Sequence, residues 1–167
     1  MKRRRKPDLS LPVIGWREWV GLPLLSVDAI KVKVDSGART SSLHAFHVER
    51  FRKEGGDFVR FQVHPLQRRS DVTIECVAPL LDYREIRSSN GAVTQRAVIS
   101  TQLALLDELI DIELSLTRRD QMGFRMLLGR EAIRSRFLVD SGLSYCDSSR
   151  RPAKRPRKGK SSGPEQT

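Results

Sequence analysis

The sequence predicts an all-β domain with one short helix near its C-terminal end. Apolar and polar residues alternate over residues 30–34 and 109–116, with the period of two that is typical of a half-buried strand. Asn90-Gly91, the strongest short-range hairpin signal, lies between two strand-like arms. A helical pattern occurs over residues 131–137 and is about two turns long.

Length and charge indicate one domain between two basic tails. The chain has 167 residues and a net charge of +11, of which residues 1–8 carry +4 and residues 148–167 carry +6. The remainder is nearly neutral, so the electrostatic argument for nucleic acid applies to the tails and not to the fold. We predict disordered basic tails over residues 1–10 and 148–167 and a domain over 11–147. The tails can contact nucleic acid non-specifically or simply be solvated.

No membrane segment is predicted. The sequence has no run of about 20 apolar residues, and no apolar stretch of ~7–15 residues follows the basic N-terminus. We therefore expect a cytoplasmic protein. Cys76 and Cys146 fit a reducing compartment, and the default interpretation of both is a free thiol.

The segment around Asp35 is the best candidate for a functional site. A strand-like run at residues 30–34 is followed by Asp35-Ser36-Gly37-Ala38, which is poor strand material and good turn material. An isolated Asp-Ser-Gly is most simply an ordinary turn at a strand end. The alternative is the loop of an aspartic peptidase, in which the acid activates water and the glycine lets two such loops approach. The tripeptide alone does not decide between them.

The N-terminal part of the domain holds aromatic and histidine residues that packing explains best. Residues 13–20 form a predicted short strand, in which Trp16 and Trp19 are expected to pack at the core or at the sheet edge. His44 and His47 are three residues apart, but no acid or cysteine completes a ligand set nearby, and His-Glu-x-x-His is absent from the sequence. We interpret both as ordinary strand residues and predict no metal site.

The middle of the chain predicts successive hairpins. Strand patterns occur over residues 58–64 and 72–77. The hairpin at 83–99 turns at Asn90-Gly91, and two further strands follow at 99–106 and 109–116. A plain surface hairpin is one interpretation of the 83–99 segment, but its position between the Asp35 loop and the later Gly129-Arg130 segment favours a functional hairpin.

The C-terminal part of the domain predicts a buried strand and contains a second Asp-Ser-Gly. Residues 126–128 are wholly apolar, as in a strand buried on both faces, and Gly129-Arg130 and the predicted helix 131–137 follow. Residues 137–139 have a short strand pattern. Asp140-Ser141-Gly142 would supply a second acid from the same chain, but it lacks a long alternating lead-in and a following Gly-Arg. We interpret it as a turn or a dimer-edge segment.

Four ordered motifs together resemble the retropepsin-like aspartic peptidases. They are residues 14–23, 33–45, 116–122 and 126–130, and they span nearly all of residues 13–141. Within that clan the chain is most similar to the bacterial and archaeal RimK/LysX-associated family, whose members are often labelled ATP-dependent zinc proteases. The resemblance implies a retropepsin-like (acid protease) closed barrel, in which an Asp-Thr/Ser-Gly-Ala loop packs beside a later apolar-Gly-Arg segment.

The resemblance assigns roles to three groups of residues. Asp35 is implied to be the catalytic residue, since one of two close carboxylates activates water while the pair holds a single proton. Gly129 and Arg130 are implied to support the active loop from beneath. The implied active-site loop is Ser36, Gly37, Ala38, Arg39 and Thr40, and the implied flap over substrate is Ser88, Ser89, Asn90, Gly91 and Ala92.

The implied function is peptide-bond hydrolysis by a homodimer, because one Asp loop per chain supplies only half of the carboxylate pair. We predict no cofactor, since the chain has neither Gly-x-x-x-x-Gly-Lys-Ser/Thr nor a zinc motif. Family members are associated with ATP-grasp ligases that add glutamate to proteins, notably a ribosomal protein, which implies glutamylated or ribosome-associated substrates. The alternatives are a non-catalytic binding or regulatory partner of such a ligase and, following the family label, a zinc metallopeptidase.

Two departures from the viral retropepsin pattern affect the predicted site. Arg39 stands where viral members carry an acid, so the viral ion-pair network and subsites do not carry over. The flap holds a single glycine, Gly91, where viral flaps are rich in glycine, which implies a different flap motion. Ser36 replaces the more frequent threonine but keeps the hydroxyl group.

Overall fold

The computed structural model of the protein describes residues 5–66, 71–118 and 123–152. Within these ranges the chain forms eleven strands, one α-helix and two short 3-10 turns. The strands are β1 (Val13–Gly15), β2 (Arg17–Leu22), β3 (Val27–Asp35), β4 (Ser41–His44), β5 (Phe46–Lys53), β6 (Gly56–Val63), β7 (Ile74–Arg87), β8 (Val93–Leu105), β9 (Glu108–Thr117), β10 (Met126–Gly129) and β11 (Leu138–Asp140). The helix α1 is Arg130–Ile133. The first four residues, most of the predicted C-terminal tail and the end of the 116–122 motif lie outside the described residues.

Nine strands form one mixed sheet in the order β2-β3-β10-β4-β9-β8-β7-β6-β5, and Gly21 of β2 also pairs with Ala104 of β8. The other two, β1 and β11, pair in parallel as a separate sheet. β10 runs parallel to β3 and antiparallel to β4, which brings a late segment of the chain beside the strand that ends at Asp35. The prediction of a mostly β fold is confirmed.

The core forms where the predicted alternation places apolar side chains. Ile30 and Val32 of β3 are fully buried, and Ile110, Ile112 and Leu114 of β9 are buried while the residues between them are exposed. β10 is buried along its whole length because it lies between β3 and β4, in agreement with its unbroken apolar run. Full burial of one such side chain contributes roughly 1.5–3 kcal/mol to the stability of the fold. The buried strands therefore hold the loops at their ends in fixed positions.

The predicted strand at 72–77 and the first arm of the predicted hairpin form one continuous strand, β7. Its residues 74–79 pair with β6, and its residues 80–87 pair with β8. Pro79 is the last residue of the first pairing, and a proline, which has no N–H to donate, is tolerated best where one ladder ends and the next begins. A register shift follows between Leu80 and Asp82. Such a bulge bends and twists the strand that contains it, here at the base of the hairpin.

The helix is shorter than the sequence predicts. α1 ends at Ile133 and not at Phe137, because the chain leaves helical geometry at Arg134 and Ser135 takes a positive φ of 63°. This turn returns Phe137 to the core, where it is 5% exposed, and Leu138 then begins β11. The tertiary pairing of β11 with β1 therefore overrides the local helical pattern.

The predicted single strand at 13–20 is also interrupted. The chain forms β1 and β2 with a break at Trp16, whose N–H donates to the Leu143 carbonyl at 3.0 Å and whose carbonyl accepts from Val34 N–H at 2.8 Å. Cys76 is buried, Cys146 is partly buried, and both thiols are free. None of the helices in the described part of the chain is long and apolar enough to cross a membrane.

Candidate active site

Asp35 is the last residue of β3 and lies at the end of a largely buried strand. Its neighbour in the parallel pairing with β10 is Gly129. Asp35 itself is half-buried, whereas Ser36 and Gly37 at the tip of the following loop are exposed. The strand and turn that the sequence predicts are therefore present, and the tip of the turn is open to solvent.

Backbone amides of the loop hold the Asp35 carboxylate. Oδ1 accepts hydrogen bonds from the N–H groups of Gly37 at 3.1 Å and Ala38 at 3.2 Å. Oδ2 takes part in no hydrogen bond between residues that the structure describes. One oxygen of the acid is thus fixed by the protein, and the other remains available to a water molecule or to a second carboxyl group.

Gly129 is required by the close approach of β10 to the chain that leaves the loop. A Cβ atom at this position would lie 2.5 Å from the carbonyl carbon of Thr40, which is far inside van der Waals contact. The Gly129 N–H donates to Ser41 Oγ at 3.0 Å, and Ser115 Oγ donates to the Ser41 carbonyl at 3.3 Å. These contacts fix where the loop returns to the sheet.

Arg130 ties the loop to the start of α1 through both its backbone and its side chain. Its N–H donates to the Ala38 carbonyl at 2.7 Å, and its Nη1 donates to the Ser36 carbonyl at 3.0 Å. The next N–H, that of Glu131, donates to the Arg39 carbonyl at 3.1 Å. The start of α1 therefore braces the loop by binding its outward carbonyl groups.

Arg39 forms an ion pair with the acid that follows Arg130. Its Nε lies 3.7 Å from Glu131 Oε1, and the two side chains are 79% and 43% exposed. Solvent screening limits such a pair to about 1 kcal/mol or less. The position at which viral retropepsins carry an acid is basic here, and its neighbour on α1 is acidic.

The turn predicted at Asn90-Gly91 is present between β7 and β8. Ser88 N–H donates to the Ala92 carbonyl at 2.8 Å, and Gly91 N–H donates to the Ser88 carbonyl at 2.9 Å. Asn90 Oδ1 accepts from the Ala92 N–H at 3.1 Å and from the Ser88 hydroxyl. Of the two turn residues, only Gly91 has a positive φ, of 84°, so the turn requires one glycine and not two left-handed residues.

A cleft of about 770 Å³ separates the Asp35 loop from the arm of this hairpin. Asp35 and Thr40 line one side, and Ser88 and Ser89 of the predicted flap line the other. The remaining predicted flap residues are exposed at the tip; they are Asn90, Gly91 and Ala92. The fold thus brings the two candidate segments together across one cavity, although they are far apart in the sequence.

The cleft carries more positive than negative charge. Four cations line it against two acids, and such a groove attracts acidic ligands. The cations come from β3, from the loop and from both arms of the hairpin, so no local motif reveals the set. The charged residues that line the cleft are Lys33, Arg39, Arg87, Arg96, Asp35 and Glu85.

The second Asp-Ser-Gly does not line the cleft. Asp140 ends β11, and Gly142 N–H donates to Asp140 Oδ1 at 2.8 Å, which makes a local turn. β11 pairs with β1 in the separate two-stranded sheet. The structure therefore does not bring the two tripeptides together in one cavity.

The histidines belong to strands, as the sequence predicts. His44 of β4 is 1% exposed and packs edge-on against Phe46, with ring centroids 4.3 Å apart. His47 of β5 is exposed and has a φ of 50°. Within residues 5–66, 71–118 and 123–152, no three His, Cys, Asp or Glu side chains are grouped so as to hold a metal ion.

Glu18 is a fully buried carboxylate whose role the sequence does not reveal. Its Oε1 accepts from the N–H groups of Gly15 at 2.7 Å and Cys146 at 2.9 Å, and its Oε2 accepts from Asp147 N–H at 3.2 Å. These bonds tie the start of β2 to the segment that follows β11. Burial, and after it the hydrogen bond to Glu18, raises the pKa of the Cys146 thiol. Glu18 lies between Trp16 and Trp19 in the sequence, and nothing in that local pattern predicts that it binds backbone N–H groups in the core.

A family model matches residues 13–150 of the chain, and its description is retropepsin-like aspartic endopeptidase RimB. The chain belongs to the RimB-like family. The match includes every strand and the helix that build the cleft. The RimK-associated, retropepsin-like family indicated by the four sequence motifs is therefore confirmed.

The curated relatives of this RimB-like chain are larger proteins. A protein from Shewanella halifaxensis named probable alpha-L-glutamate ligase is 46% identical over 134 residues, which are 80% of this chain and 29% of that protein. A protein of the same name from Parasynechococcus marenigrum is 49% identical over 133 residues, which are 80% of this chain and 28% of that protein. The chain thus spans less than a third of the length of these relatives.

A solved structure has the same fold. It is the crystal structure of a Legionella pneumophila protein of unknown function, which is 25% identical in sequence to this RimB-like chain. The TM-score is 0.70, and the match covers 81% of this chain and 97% of the other. Nearly the whole of that protein is therefore built like the domain described here.

Proposed function

We propose that this RimB-like chain is an aspartic endopeptidase whose active site forms between two copies of the chain. The observation that carries the proposal is the setting of Asp35. This acid ends a core strand, the start of α1 braces its loop, and a hairpin arm faces it across a cleft. The family description, a retropepsin-like aspartic endopeptidase, supports the same activity.

The single acid loop is the reason for proposing a homodimer. An aspartic peptidase needs two carboxyl groups close enough to share one proton, because two negative charges at that distance are unfavourable. Ser36 and Gly37 form an exposed tip where a second loop can approach, and Gly37 has no Cβ to keep it away. A twofold axis through this tip would place the two Asp35 carboxyl groups together.

In the proposed mechanism one ionised Asp35 acts as general base on a bound water molecule. The protonated Asp35 of the partner subunit donates to the carbonyl oxygen of the scissile peptide as the water adds to its carbon. The Gly37 and Ala38 amides hold Oδ1 during this step, so Oδ2 is the oxygen that meets the water. The hairpin arm narrows the cleft and reduces access of bulk water.

We also propose that six strands close into the barrel that the retropepsin resemblance implies. β2, β3, β10, β4, β9 and β8 are neighbours in that order, and the pairing of Gly21 with Ala104 joins the last strand to the first. β7, β6 and β5 extend from this ring. A closed ring would hold the Asp35 loop and the base of the flap on one frame without a free edge.

The charge of the cleft supports an acidic peptide as substrate. Lys33, Arg87 and Arg96 line the space beside Asp35. A glutamylated or ribosome-associated protein with a glutamate-rich segment would complement these cations. The relatives named probable alpha-L-glutamate ligase support this class, because a hydrolase related to a glutamate ligase would act on the product of that ligation.

Cleavage of a glutamate-rich peptide library by the wild type and by Asp35→Asn, from pH ~4 to 8, tests the activity. We expect cleavage by the wild type and none by the variant, because asparagine can neither accept the proton from water nor share one with the second acid. Equal cleavage by both proteins would remove Asp35 from the chemistry.

Subunit mixing tests the dimer. After equal amounts of wild type and Asp35→Asn exchange subunits, about a quarter of the dimers hold two intact acids. We therefore expect activity per wild-type chain to fall by about half. Unchanged activity per wild-type chain would show that each subunit works alone.

A second candidate function is a non-catalytic partner or regulator of an ATP-grasp glutamate ligase. The observation that favours it is that the named relatives are ligases of which this domain is less than a third. In that case Asp35→Asn would bind the ligase and alter its rate as the wild type does. Loss of the ligase effect in Asp35→Asn, together with loss of cleavage, would favour the peptidase.

The proposal extends to the chain ends and to the compartment. The basic segments before residue 11 and after residue 147 are proposed to be tails that contact nucleic acid or an acidic partner electrostatically. We assign the protein to the cytoplasm, where free thiols such as those of Cys76 and Cys146 stay reduced. Removal of residues 1–10 and 153–167 should leave peptide cleavage unchanged and weaken only salt-sensitive contacts. Residues 148–150 are kept because Arg150 pairs with the buried Asp147 at 3.3 Å.

A further inference from the structure

A second hollow of about 630 Å³ adjoins the proposed active-site cleft. Arg39, Thr40, Glu85 and Ile86 line both cavities. The two cavities are therefore parts of one groove, which passes between the chain leaving the Asp35 loop and the first arm of the hairpin. A peptide that lies across the loop can continue into this hollow.

The floor of the hollow is apolar. Val98, Ile112 and Ala132 are buried beneath it, and Ile86 is half-buried at its side. These side chains come from β8, β9, α1 and β7, so the floor is part of the folded core and does not depend on a loop. Such a surface favours contact with hydrocarbon.

The hollow is lined by four acids and two arginines, Arg39 and Arg84, so its rim is net acidic, in contrast with the cationic cleft beside it. Glu113 is bound by Arg84, and this hydrogen bond lowers the pKa of Glu113, which keeps its charge. Asp111 instead accepts a hydrogen bond at 3.1 Å from the side-chain amide of Gln102. Because this amide is neutral, it does not compensate the negative charge of the Asp111 carboxylate. The acids that line the hollow are Glu85, Asp111, Glu113 and Glu131.

We propose that this hollow is a subsite for a lysine or arginine side chain of the bound peptide. Both side chains combine a hydrocarbon stem with a cationic end, which matches an apolar floor beneath an acidic rim. Asp111 is the residue that determines this specificity. Glu113 and Glu131 are already held by Arg84 and Arg134, and Glu85 also lines the cationic cleft, whereas Asp111 lines the hollow and not the cleft. The inference rests on the proposed function in one respect: the peptide lies along the groove that begins at Asp35.

The resulting specificity is bipartite. Acidic residues of the peptide lie beside Lys33, Arg87 and Arg96, and one basic residue lies in the hollow. A peptide of uniform negative charge satisfies only the first half of the groove. We therefore expect a glutamate-rich peptide with one well-placed lysine to bind more tightly than a glutamate-only peptide of the same length.

Peptide binding to Asp35→Asn tests the subsite without cleavage. The probes are fluorescein-labelled peptides of about eight residues with two central glutamates, in which lysine, norleucine or glutamate occupies each other position in turn. Norleucine is the matched neutral control, since it keeps the stem and lacks the charge. Fluorescence anisotropy should show one position at which lysine binds roughly fivefold more tightly than norleucine, which is the scale of one partly screened ion pair.

Three variants in the Asp35→Asn background identify the residue. Asp111→Asn should abolish the preference for lysine while binding of the norleucine peptide stays unchanged. Asp111→Lys should reverse the preference in favour of glutamate at the same position. Asp107→Asn, an equal charge change at an exposed site on the same β8–β9 hairpin outside the groove, should retain the preference.

The proposal is overturned if no position prefers lysine over norleucine, if no probe binds, or if Asp107→Asn removes the preference as fully as Asp111→Asn. The outcome is separable from that of the proposed activity. A lysine preference in a protein that cleaves no peptide would support the subsite and contradict the peptidase. Cleavage that depends on Asp35 but shows no preference for lysine would support the peptidase and contradict the subsite.

Discussion

The chain contains Asp-Ser-Gly twice, and the two copies form similar turns in different surroundings. Gly37 N–H donates to Asp35 Oδ1 at 3.1 Å, and Gly142 N–H donates to Asp140 Oδ1 at 2.8 Å. Asp35 ends a nine-residue strand that lies between β2 and β10 in the large sheet. Asp140 ends a three-residue strand that, among the strands described, pairs with β1 alone.

The difference between the loops lies in what binds the rest of each turn. The carbonyls of Ser36 and Ala38 are held by Arg130, and a cleft opens beside Asp35. In both turns the Asp carbonyl accepts the N–H three residues on, from Ala38 at 3.2 Å and from Leu143 at 3.1 Å. The Asp140 turn, however, leads into the segment that Glu18 holds. The tripeptide is therefore sufficient for the turn, whereas the neighbouring strands and the brace supply the setting for chemistry.

The largest expected difference between the loops is in activity. Asp35→Asn should lower kcat for peptide cleavage by about 10²–10⁴-fold, the scale of a lost general acid–base group. Asp140→Asn, the same change in the other loop, should leave kcat within about twofold because Asp140 does not line the cleft. Steady-state kinetics of both variants provide the measurement, and an equal loss in the two would place both loops in the active site.

The next largest effect concerns the glycines that accompany each loop. Gly129→Ala should lower the free energy of unfolding by roughly 1–3 kcal/mol, because its Cβ would lie 2.5 Å from the Thr40 carbonyl carbon and backbone must move. Gly142→Ala should cost less than about 0.5 kcal/mol, since its nearest contact is the Asp140 side-chain oxygen at 3.2 Å, and this side chain can shift slightly while it keeps its hydrogen bond to the Gly142 N–H. Urea unfolding measures both losses of free energy of unfolding. Equal losses in the two variants would contradict the tight packing of β10 on Thr40.

The brace provides a smaller effect that separates positioning from folding. Arg130→Lys should remove the hydrogen bond to the Ser36 carbonyl and lower kcat about fivefold with little change in KM, since a bond of this kind contributes about 1 kcal/mol. Arg134→Lys is the control, because Arg134 pairs with Glu131 and its side chain does not reach the loop carbonyls. A parallel fall in kcat for both variants would mean that α1 acts only through its stability.

The smallest expected effect is the pH dependence of an ion pair beside the first loop. Arg84 donates to Glu113, and this bond lowers the pKa of Glu113. The pair therefore adds stability above the pKa of an unfolded glutamate, about 4.3, and this stability is lost as pH falls through the lowered folded value. The side chains are 38% and 49% exposed, so screening keeps the contribution under about 1 kcal/mol.

Urea unfolding of Glu113→Gln checks this sign. The variant should be slightly less stable than the wild type at pH 7, and the difference should vanish as pH falls through the lowered folded pKa of Glu113, below which the group is protonated in both states. The change removes the attraction of Glu113 to Arg39 as well as to Arg84 and leaves the Asp140 turn untouched. A stability difference that persists at the lowest pH would show that packing and not charge is responsible.

Most of the fold was predictable because strands are local patterns. The alternation that ends at Asp35 and that of β9 predict which faces are buried, and the Asn90-Gly91 turn was found where the sequence placed it. The helix length was not predictable from residues 131–137, because the turn at Ser135 is imposed by the pairing of β11 with β1. The buried role of Glu18 was equally hidden, since two of its three hydrogen-bond donors, Cys146 and Asp147, lie nearly 130 residues away.

The sequence by itself determined the strand pattern, the turn chemistry of the two Asp-Ser-Gly segments and membership of the RimB-like family, because these depend on neighbouring residues and on ordered motifs. Only the tertiary structure decided which Asp-Ser-Gly faces a cleft. It also assembled the cationic cleft and the acidic hollow from residues of several strands. The physical reason is that the shape and the net charge of a cavity depend on many side chains from distant parts of the chain. Only the folded sheet brings these side chains together, so no short stretch of sequence reveals them.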